Sequence, residues 1–298
     1  MAYLSAVLYS CSQVFLGGEK MEIQKILNNN VVVCLNKFGN EIVVLGKGLA
    51  FQKKVGEFVD ETLINQTFVL QSQDLSGKFQ QIVASIPLDI LAVTDEIIEN
   101  IKLKLGKKLS EGIYISLTDH IHTSIQRKQQ GISLSNAMLW DIKRFYPVEF
   151  KLGQEAVALI KQQLDVKLTE DEAGFIAFHI VNAELDEELE HTYEITKLMT
   201  EILSIVKYHF KVTFDEDSVY FYRFVTHLKF LAQRIFNGSL HADGEDRLFE
   251  MIKESYPSSF ECTEKIALFL KKKYNVVISK EEESYLTIHL DRLIYKTV

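Results

Sequence analysis

The 298-residue sequence contains little proline and glycine, 3 and 14 residues respectively. Neither a long disordered linker nor a turn-rich all-β protein is therefore expected. Its cysteines, Cys11, Cys34 and Cys262, are widely spaced and match no metal-ligand pattern. This argues for a reducing compartment, so we expect a cytoplasmic protein. No apolar run reaches about 18 residues, so membrane insertion is not expected.

What the sequence does contain is typical of a soluble globular chain of two or three domains. Apolar residues make up 47% and charged residues 25%, with many helix formers. The net charge of -8 argues against nonspecific polyanion binding by the whole molecule. This net charge does not exclude a local nucleic-acid binding site.

The first twenty residues have the apolar character of a signal-peptide core but lack its early basic residues. Gly17, Gly18, Glu19 and Lys20 can be encoded by a purine-rich run that resembles a bacterial ribosome-binding site. We predict that Met21 is the natural start and that residues 1–20 are a translated leader or a non-native extension. The intact mass of the native protein tests this.

Residues 21–76 have the pattern of a small antiparallel sheet. Short β-branched or aromatic runs lie at 31–35, 41–46 and 67–71, with turn residues at 28–30 and 37–40. A domain of fewer than sixty residues buries too little surface to be stable alone, so we expect this domain to form a dimer.

The start of this region is basic. Residues 21–55 hold five lysines and two glutamates, a net charge of +3. Asn28–Asn30 can read base edges, Phe51 can stack on a base, and Gly46 and Gly48 permit close backbone approach. A nucleic-acid site is one interpretation; an ordinary solvated domain is the other, and small basic sheets are more often the latter.

After Gly77 the pattern is helical to the end of the chain, and it is duplicated. DIKRFYPVEF (141–150) matches MIKESYPSSF (251–260) at an offset of 110 residues, which continues through EDEAGFIAFHI (170–180) and KEEESYLTIHL (280–290). LTDHI (117–121) matches FVTHL (224–228) at an offset of 107. A repeat of this length indicates a duplicated domain rather than a solenoid.

Four of the eight histidines occupy equivalent positions in the two copies: His120, His179, His227 and His289. A histidine on an apolar helix face is usually a partly buried packing residue, but recurrence in both copies favours a function. A zinc site needs further ligands, and Asp119 beside His120 is replaced by Thr226 beside His227. Catalytic motifs are missing from the sequence, so we expect no enzyme activity, metal or cofactor.

Phosphoryl acceptance fits these histidines better. A neutral imidazole is nucleophilic at cytoplasmic pH, and a phosphoryl group adds about -1.5 to -2 charges to an apolar surface. Charge placed at an interface biases a packing equilibrium.

The segment from MEIQKILNNNVVVCL through GKGLAFQKKVGEFVD resembles the co-antiterminator RNA-binding domain of the BglG/SacY/LicT antiterminators. The repeats, with YISLTDHI, DEAGFIAFHIVNAE, YFYRFVTHLKF and YLTIHL, resemble PTS regulation domains. The resemblance covers Met21 to the end and implies a multidomain fold, a dimeric antiparallel β-sheet domain followed by two all-α helical-bundle domains. The boundaries it implies are 21–76 for the RNA-binding domain, 77–84 for a linker, and 85–190 and 191–298 for the regulation domains.

The resemblance implies a transcriptional antiterminator. Its dimeric sheet would bind an RNA antiterminator hairpin that overlaps a terminator, so that a sugar operon, of the β-glucoside type, is expressed. The matching RNA-contact residues are Lys25, Asn30, Gly46, Lys47 and Phe51. Relatives often have arginine where Lys47 stands, and lysine lacks the planar fork for base-specific pairing.

The resemblance also implies the control. His120 and His179 would receive inhibitory phosphoryl groups linked to the PTS sugar permease (enzyme II), and His227 and His289 activating phosphate from the phosphocarrier HPr. Two rival classes remain. A DNA-binding activator would need a helix-turn-helix in the amino-terminal domain, but residues 21–76 have a strand pattern, which argues against this class. A metal-dependent enzyme would contain zinc.

Overall fold

The computed structural model describes residues 21–36, 39–69, 73–186, 189–239 and 246–295, so the predicted leader lies outside the described residues. Its strands are β1 (Ile23–Asn28), β2 (Val31–Leu35), β3 (Glu41–Leu45) and β4 (Gln66–Phe68), in one antiparallel sheet of order β1-β2-β3-β4. The sheet and the helical region confirm the predicted fold class.

Strand β1 lies outside the runs from which strands were predicted. Its pairing with β2 shifts register between Ile23 and Lys25 and again between Ile26 and Asn28. These irregularities break the two-residue alternation by which strands are recognised in a sequence. Strand β4 covers only the start of the predicted 67–71 segment, and residues 70–71 of that segment lie outside the described residues.

The two faces of the sheet are buried in different cores. One face, with Val32, Cys34 and Val44, packs under the segment that returns through Leu49 and Val59. The opposite face, with Val31 and Val43, joins a core built with the helices that follow. Alternate residues of each strand therefore serve opposite cores, as the pleat requires.

The chain divides into two compact units. The first comprises residues up to 137 together with 148–186, and the second 138–147 together with 187–298. The helices of the first unit are α1 (Gln73–Ser85), α2 (Leu88–Leu105), α3 (Gly112–Gln129), α5 (Pro147–Leu164) and α6 (Glu170–Leu185). Gly106 ends α2 in a left-handed conformation.

Residues 77–84, the predicted linker, lie within α1. Phe79 is 1% exposed and its ring centroid lies 5.0 Å from that of Phe68 on the sheet. This segment is therefore helical and packed against the sheet.

The second unit contains α4 (Leu139–Phe145), α7 (Leu189–Phe210), α8 (Val219–Phe236), α9 (Asp246–Ser255), α10 (Pro257–Tyr274) and α11 (Lys280–Tyr295). Helix α4 precedes α5 in the chain and belongs to the first sequence repeat, yet it packs here on α7. The Tyr146 hydroxyl lies 3.0 Å from Oγ1 of Thr196, and Thr200 donates to Asp141. Residues 138–147 therefore fall in the second unit.

Arg144 helps to anchor α4 in the second unit. Its guanidinium pairs with Glu216 at 2.8 Å and lies 5.0 Å from the Trp140 ring and 5.1 Å from the Phe221 ring. In the described parts of the chain, no helix is long and apolar enough to cross a membrane.

Candidate functional sites

The first histidine pair lies where α3 contacts α6. The ring centroids of His120 and His179 are 4.8 Å apart, and the ring of Phe175 lies 5.8 Å from that of His120. The sequence places these histidines 59 residues apart, and the packing of two helices brings them together.

The two rings differ in exposure. His179 is 6% exposed and its Nδ1 is buried without a hydrogen bond, whereas the side chain of His120 is 14% exposed. Burial, with the neighbouring His120, lowers the pKa of His179 to about 3. His179 is therefore neutral near pH 7, and His120 is the more accessible member of the pair.

A glutamate and an arginine complete the site. Nε2 of His120 lies 3.0 Å from Oε2 of Glu172, and Nη2 of Arg127 lies 3.1 Å from Oε1 of the same carboxylate. Burial acts to raise the pKa of Glu172, but His120 and Arg127 lower it by more, so the net shift is downward. Glu172 is therefore a buried carboxylate kept ionised by two neighbours.

The second pair repeats this arrangement between α8 and α11. The rings of His227 and His289 stack with centroids 5.0 Å apart, and Tyr285 takes the place of Phe175 with its ring 5.9 Å from that of His227. Arg234 lies 2.5 Å from Oε1 of Glu282, whose Oε2 is 3.8 Å from Nε2 of His227.

Both imidazoles of this second pair are also kept neutral. Burial, then the charges of His289 and Arg234, lower the pKa of His227 to about 4. Burial, then Arg292 and Arg223, lower the pKa of His289. A neutral imidazole retains a lone pair, which is what a phosphoryl acceptor needs.

Sequence reasoning missed the arginine and glutamate of each site. A signal was present, because Arg127 and Arg234 share the 107-residue offset of His120 and His227, while Glu172 and Glu282 share the 110-residue offset of the second histidines. Across the described ranges, no group of three or more His, Cys, Asp or Glu side chains is arranged to hold a metal ion.

The predicted RNA-contact residues divide between two places. Asn30, Gly46 and Gly48 meet where β1 turns into β2: Gly46 N–H donates to the Asn30 carbonyl and Gly48 N–H to Oδ1 of Asn30. A Cβ on Gly46 would lie 1.9 Å from the Leu63 carbonyl oxygen, so only glycine fits there. Asn30 and Gly46 thus build the loop that carries the neighbouring side chains.

Two of the predicted residues are exposed on that loop. Phe51 is 63% exposed although it is a large apolar side chain, and Lys47, also exposed, donates its backbone N–H to Oδ1 of Asn65. A rigid loop that presents a phenyl ring and an ammonium group fits a stacked base and a phosphate.

Lys25 lies elsewhere. Its Nζ is 3.4 Å from Oε1 of Gln80 on α1, and Gln80 in turn donates to Glu41. The contact described for the Lys25 side chain is therefore with α1 and not with the Asn30–Gly46 turn.

Comparison with known proteins defines the class. The CAT RNA binding domain model matches residues 21–76, and the PRD domain model matches residues 95–183 and 200–293. The chain belongs to the family of transcription antiterminators that join a CAT RNA binding domain to two PRD domains. The family predicted from the resemblance is confirmed.

Individual relatives are similar over nearly their whole length. The transcription antiterminator LicT of Bacillus subtilis (strain 168) is 51% identical over 274 residues, 92% of this chain and 99% of the relative. The beta-glucoside operon antiterminator of Dickeya chrysanthemi is 42% identical over 92% of this chain and 96% of the relative.

Two solved structures are also similar to parts of the chain. A crystal structure of GlcT CAT-PRDI is 30% identical, covers 56% of this chain and 99% of its own, and has a TM-score of 0.48. A structure of the LicT bacterial antiterminator protein in complex with its RNA target is 52% identical, covers 18% of this chain and 98% of its own, and has a TM-score of 0.17.

Proposed function

We propose that this protein binds an RNA hairpin overlapping a terminator and thereby allows expression of a sugar-utilisation operon, of the β-glucoside type. The observation that carries the proposal is the loop after β3 within the CAT RNA binding domain, where exposed Phe51 and Lys47 stand on a backbone fixed by Asn30. A hairpin held there cannot pair into the terminator. The protein's task is to bind, not to catalyse.

The RNA-binding form is a homodimer in this proposal. A sheet of four short strands offers a small contact surface, and two copies double the number of lysine and phenylalanine contacts to one hairpin. Dimerisation also makes binding depend on how the regulatory helices of two subunits pack.

The duplicated histidine sites are the regulatory input. We assign His120 and His179 to inhibitory phosphorylation by the PTS sugar permease, and His227 and His289 to activating phosphorylation by HPr. The support is chemical: each pair is two imidazoles in contact where two helices pack, which is a place where new charge alters packing. Because these proposed donors act in the cytoplasm, we place the protein there.

The required energy is within reach of such a switch. Moving a two-state equilibrium from mostly off to mostly on needs roughly 5 kcal/mol of differential interaction. A phosphoryl group on His120 or His227 brings about -1.5 to -2 charges beside a carboxylate that is 5–6% exposed, Glu172 or Glu282. Two subunits with several such groups can supply that energy.

Transcription across a terminator tests the function. Purified full-length chain, first incubated with phosphorylated HPr, is added to a polymerase reaction on templates taken from upstream of sugar operons, and read-through is measured. We expect read-through on a template with an intact hairpin, and loss of it with Phe51→Ala. Read-through unchanged by the protein on every hairpin-bearing template would contradict the proposal.

A further inference from the structure

A buried aromatic ring precedes the first histidine of each pair by six residues and contacts an element from earlier in the chain. In the first copy, Tyr114 on α3 is 3% exposed, and its ring centroid lies 5.6 Å from that of Phe68 on β4. In the second copy, Phe221 on α8 is 2% exposed, and the guanidinium of Arg144 on α4 lies 5.1 Å from its ring centre. Equivalent rings therefore hold the sheet in one copy and α4 in the other.

A hydrogen bond from the first helix of each copy reaches the same partner element. Gln66 on β4 donates to Oδ2 of Asp95 on α2 at 2.6 Å. Thr200 on α7 donates through Oγ1 to Oδ1 of Asp141 on α4 at 3.1 Å. Each copy thus combines one polar contact and one ring contact to the element before it.

Asp95 and Thr200 occupy the same position in the two copies. Helices α2 and α7 are each followed by a residue in the left-handed conformation, Gly106 with φ 60° and Lys211 with φ 53°. Asp95 and Thr200 both lie eleven residues before that residue. We call these pairs of residues the docking faces: Asp95 with Tyr114 in the first copy, and Thr200 with Phe221 in the second.

The residues by which α4 binds its docking face differ in the equivalent helix of the second copy. At the offset of 110 residues, Met251 and Glu254 on α9 replace Asp141 and Arg144. Helix α9 packs on α10 and α11 of its own copy. The polar groups that fit the second docking face are therefore particular to α4.

We propose that each docking face transmits the state of its histidine pair to the element that it holds. The second copy acts on α4, and the first copy acts on the RNA-binding sheet. The two faces work in series, so that the signal passes from the second copy through α4 and the first copy to β4. The inference rests on the proposed function, because it specifies how phosphorylation reaches the RNA-binding sheet.

The histidine and the docking ring lie on one rigid helix. Tyr114 and His120 are separated by about 9 Å along α3. A phosphoryl group at His120 adds about -1.5 to -2 charges beside the Glu172 carboxylate, 3.0 Å from the ring, and this repulsion acts to separate α3 from α6. Packed helices move between discrete arrangements, so a shift of α3 reaches the contact of Tyr114 with Phe68.

Helix α4 connects the second docking face to the first copy through the chain itself. It is followed at Pro147 by α5, which packs closely on α6, because a Cβ on Gly153 would clash with the Ala173 carbonyl oxygen. Helix α6 carries Glu172 and His179. A change in how α4 is held therefore acts on the helix that completes the first histidine site.

Hydrogen exchange in the full chain tests this transmission without RNA or a partner protein. Phosphoramidate, a small phosphoryl donor, modifies the histidines, and mass spectrometry counts the phosphoryl groups and measures exchange in peptides from β4 and α4. We expect phosphorylation to change exchange by about fivefold or more in both peptides. At the same number of phosphoryl groups, the change should fall below about twofold at β4 in Asp95→Ala and at α4 in Thr200→Val.

Two neighbouring residues supply matched controls. Glu96 on α2 is exposed and accepts a hydrogen bond from Gln163, and Ser204 on α7 is exposed one turn after Thr200. Glu96→Ala and Ser204→Ala should keep the full change in exchange. A full change in Asp95→Ala, or an equal loss in Asp95→Ala and Glu96→Ala, would overturn the inference.

Hairpin binding tests the serial order. Tightening by phosphorylated HPr is measured for the unaltered chain, for Asp95→Ala, for Thr200→Val and for the double variant. The double variant should lose no more tightening than the more affected single variant, because the two faces lie on one route. Losses that add would show two independent routes and contradict the inference. An unaltered chain whose hairpin binding does not respond to phosphorylated HPr would contradict the proposed function, and the exchange data would still decide the inference.

Discussion

Replacing Arg127 with methionine removes the cation that neutralises a buried carboxylate while it keeps much of the side-chain volume. Arg127 is 24% exposed and Glu172 8% exposed at the side chain, so the pair is poorly screened by solvent. Once the arginine is gone, Glu172 must either stay charged beside His120 alone or take up a proton.

Protonation sets an upper limit on the cost. At pH 7 a carboxyl group with an ordinary pKa of 4.5 is about 2.5 pH units above its midpoint, and each unit costs about 1.4 kcal/mol. We therefore expect Arg127→Met to lower the local free energy of unfolding by about 2–3 kcal/mol.

Hydrogen exchange measured by mass spectrometry on peptides from α3 and α6 reports that local free energy in the full chain. Lys104→Met is the matched control. Its partner Glu155 is 42% exposed and Lys104 itself 51% exposed, so about 0–1 kcal/mol is expected. Adding Glu172→Leu to Arg127→Met removes the stranded charge and should restore most of the protection. Equal losses in the single and double variants would refute the reasoning.

Three further predictions concern packing, pH and RNA. Gly153→Ala places a Cβ 2.2 Å from the Ala173 carbonyl oxygen and should destabilise the first unit by about 1–3 kcal/mol. Gly77→Ala is the control, because its Cβ meets open space in α1, and it should be neutral or stabilising. Thermal unfolding of both variants checks this, and equal melting temperatures would contradict it. Because the folded-state pKa of His179 lies near 3, below the ordinary 6.5, its neutral ring contributes stability that is complete above pH 6.5 and is lost as pH falls toward 3. As pH falls from 6.5 to about 5, the free energy of unfolding measured with urea should decrease, and His179 contributes at most about 1.4 kcal/mol per pH unit to this decrease. The decrease should be shallower in His179→Gln. Identical pH dependence in the two proteins would argue against burial of the His179 ring. Phe51→Ala should weaken hairpin binding by about 1–3 kcal/mol without changing the melting temperature, since the ring is 63% exposed; unchanged affinity in a gel shift would remove Phe51 from the RNA site.

The sheet shows where sequence patterns suffice. Strands β2 and β3 follow continuous β-branched runs and were predicted within a residue of their ends. Strand β1 was not predicted because its two register shifts interrupt alternation. Pattern recognition depends on regular geometry, and a bulged strand does not have it.

The histidine sites show a different limit. The duplication predicted which histidines correspond, but not that Glu172 and Arg127 join them, because a charged residue on a helix is usually solvated and only packing shows that it is buried. Helix α4 shows that the same limit applies to tertiary contacts. Sequence repeats imply equal local structure, yet the partners of Arg144 and Tyr146 lie in the second unit. Those partners follow from long-range packing, which one sequence does not encode in any short pattern.

Reciprocal control of RNA binding by the two histidine sites is the claim that matters most. The direct measurement is a hairpin titration of the full chain, unmodified and after incubation with phosphorylated HPr, for the unaltered protein and for His227→Ala. We predict that phosphorylation tightens binding by the unaltered protein and leaves His227→Ala at its unmodified affinity. Equal tightening in both proteins would show that the paired imidazoles of the second regulatory domain do not carry the signal.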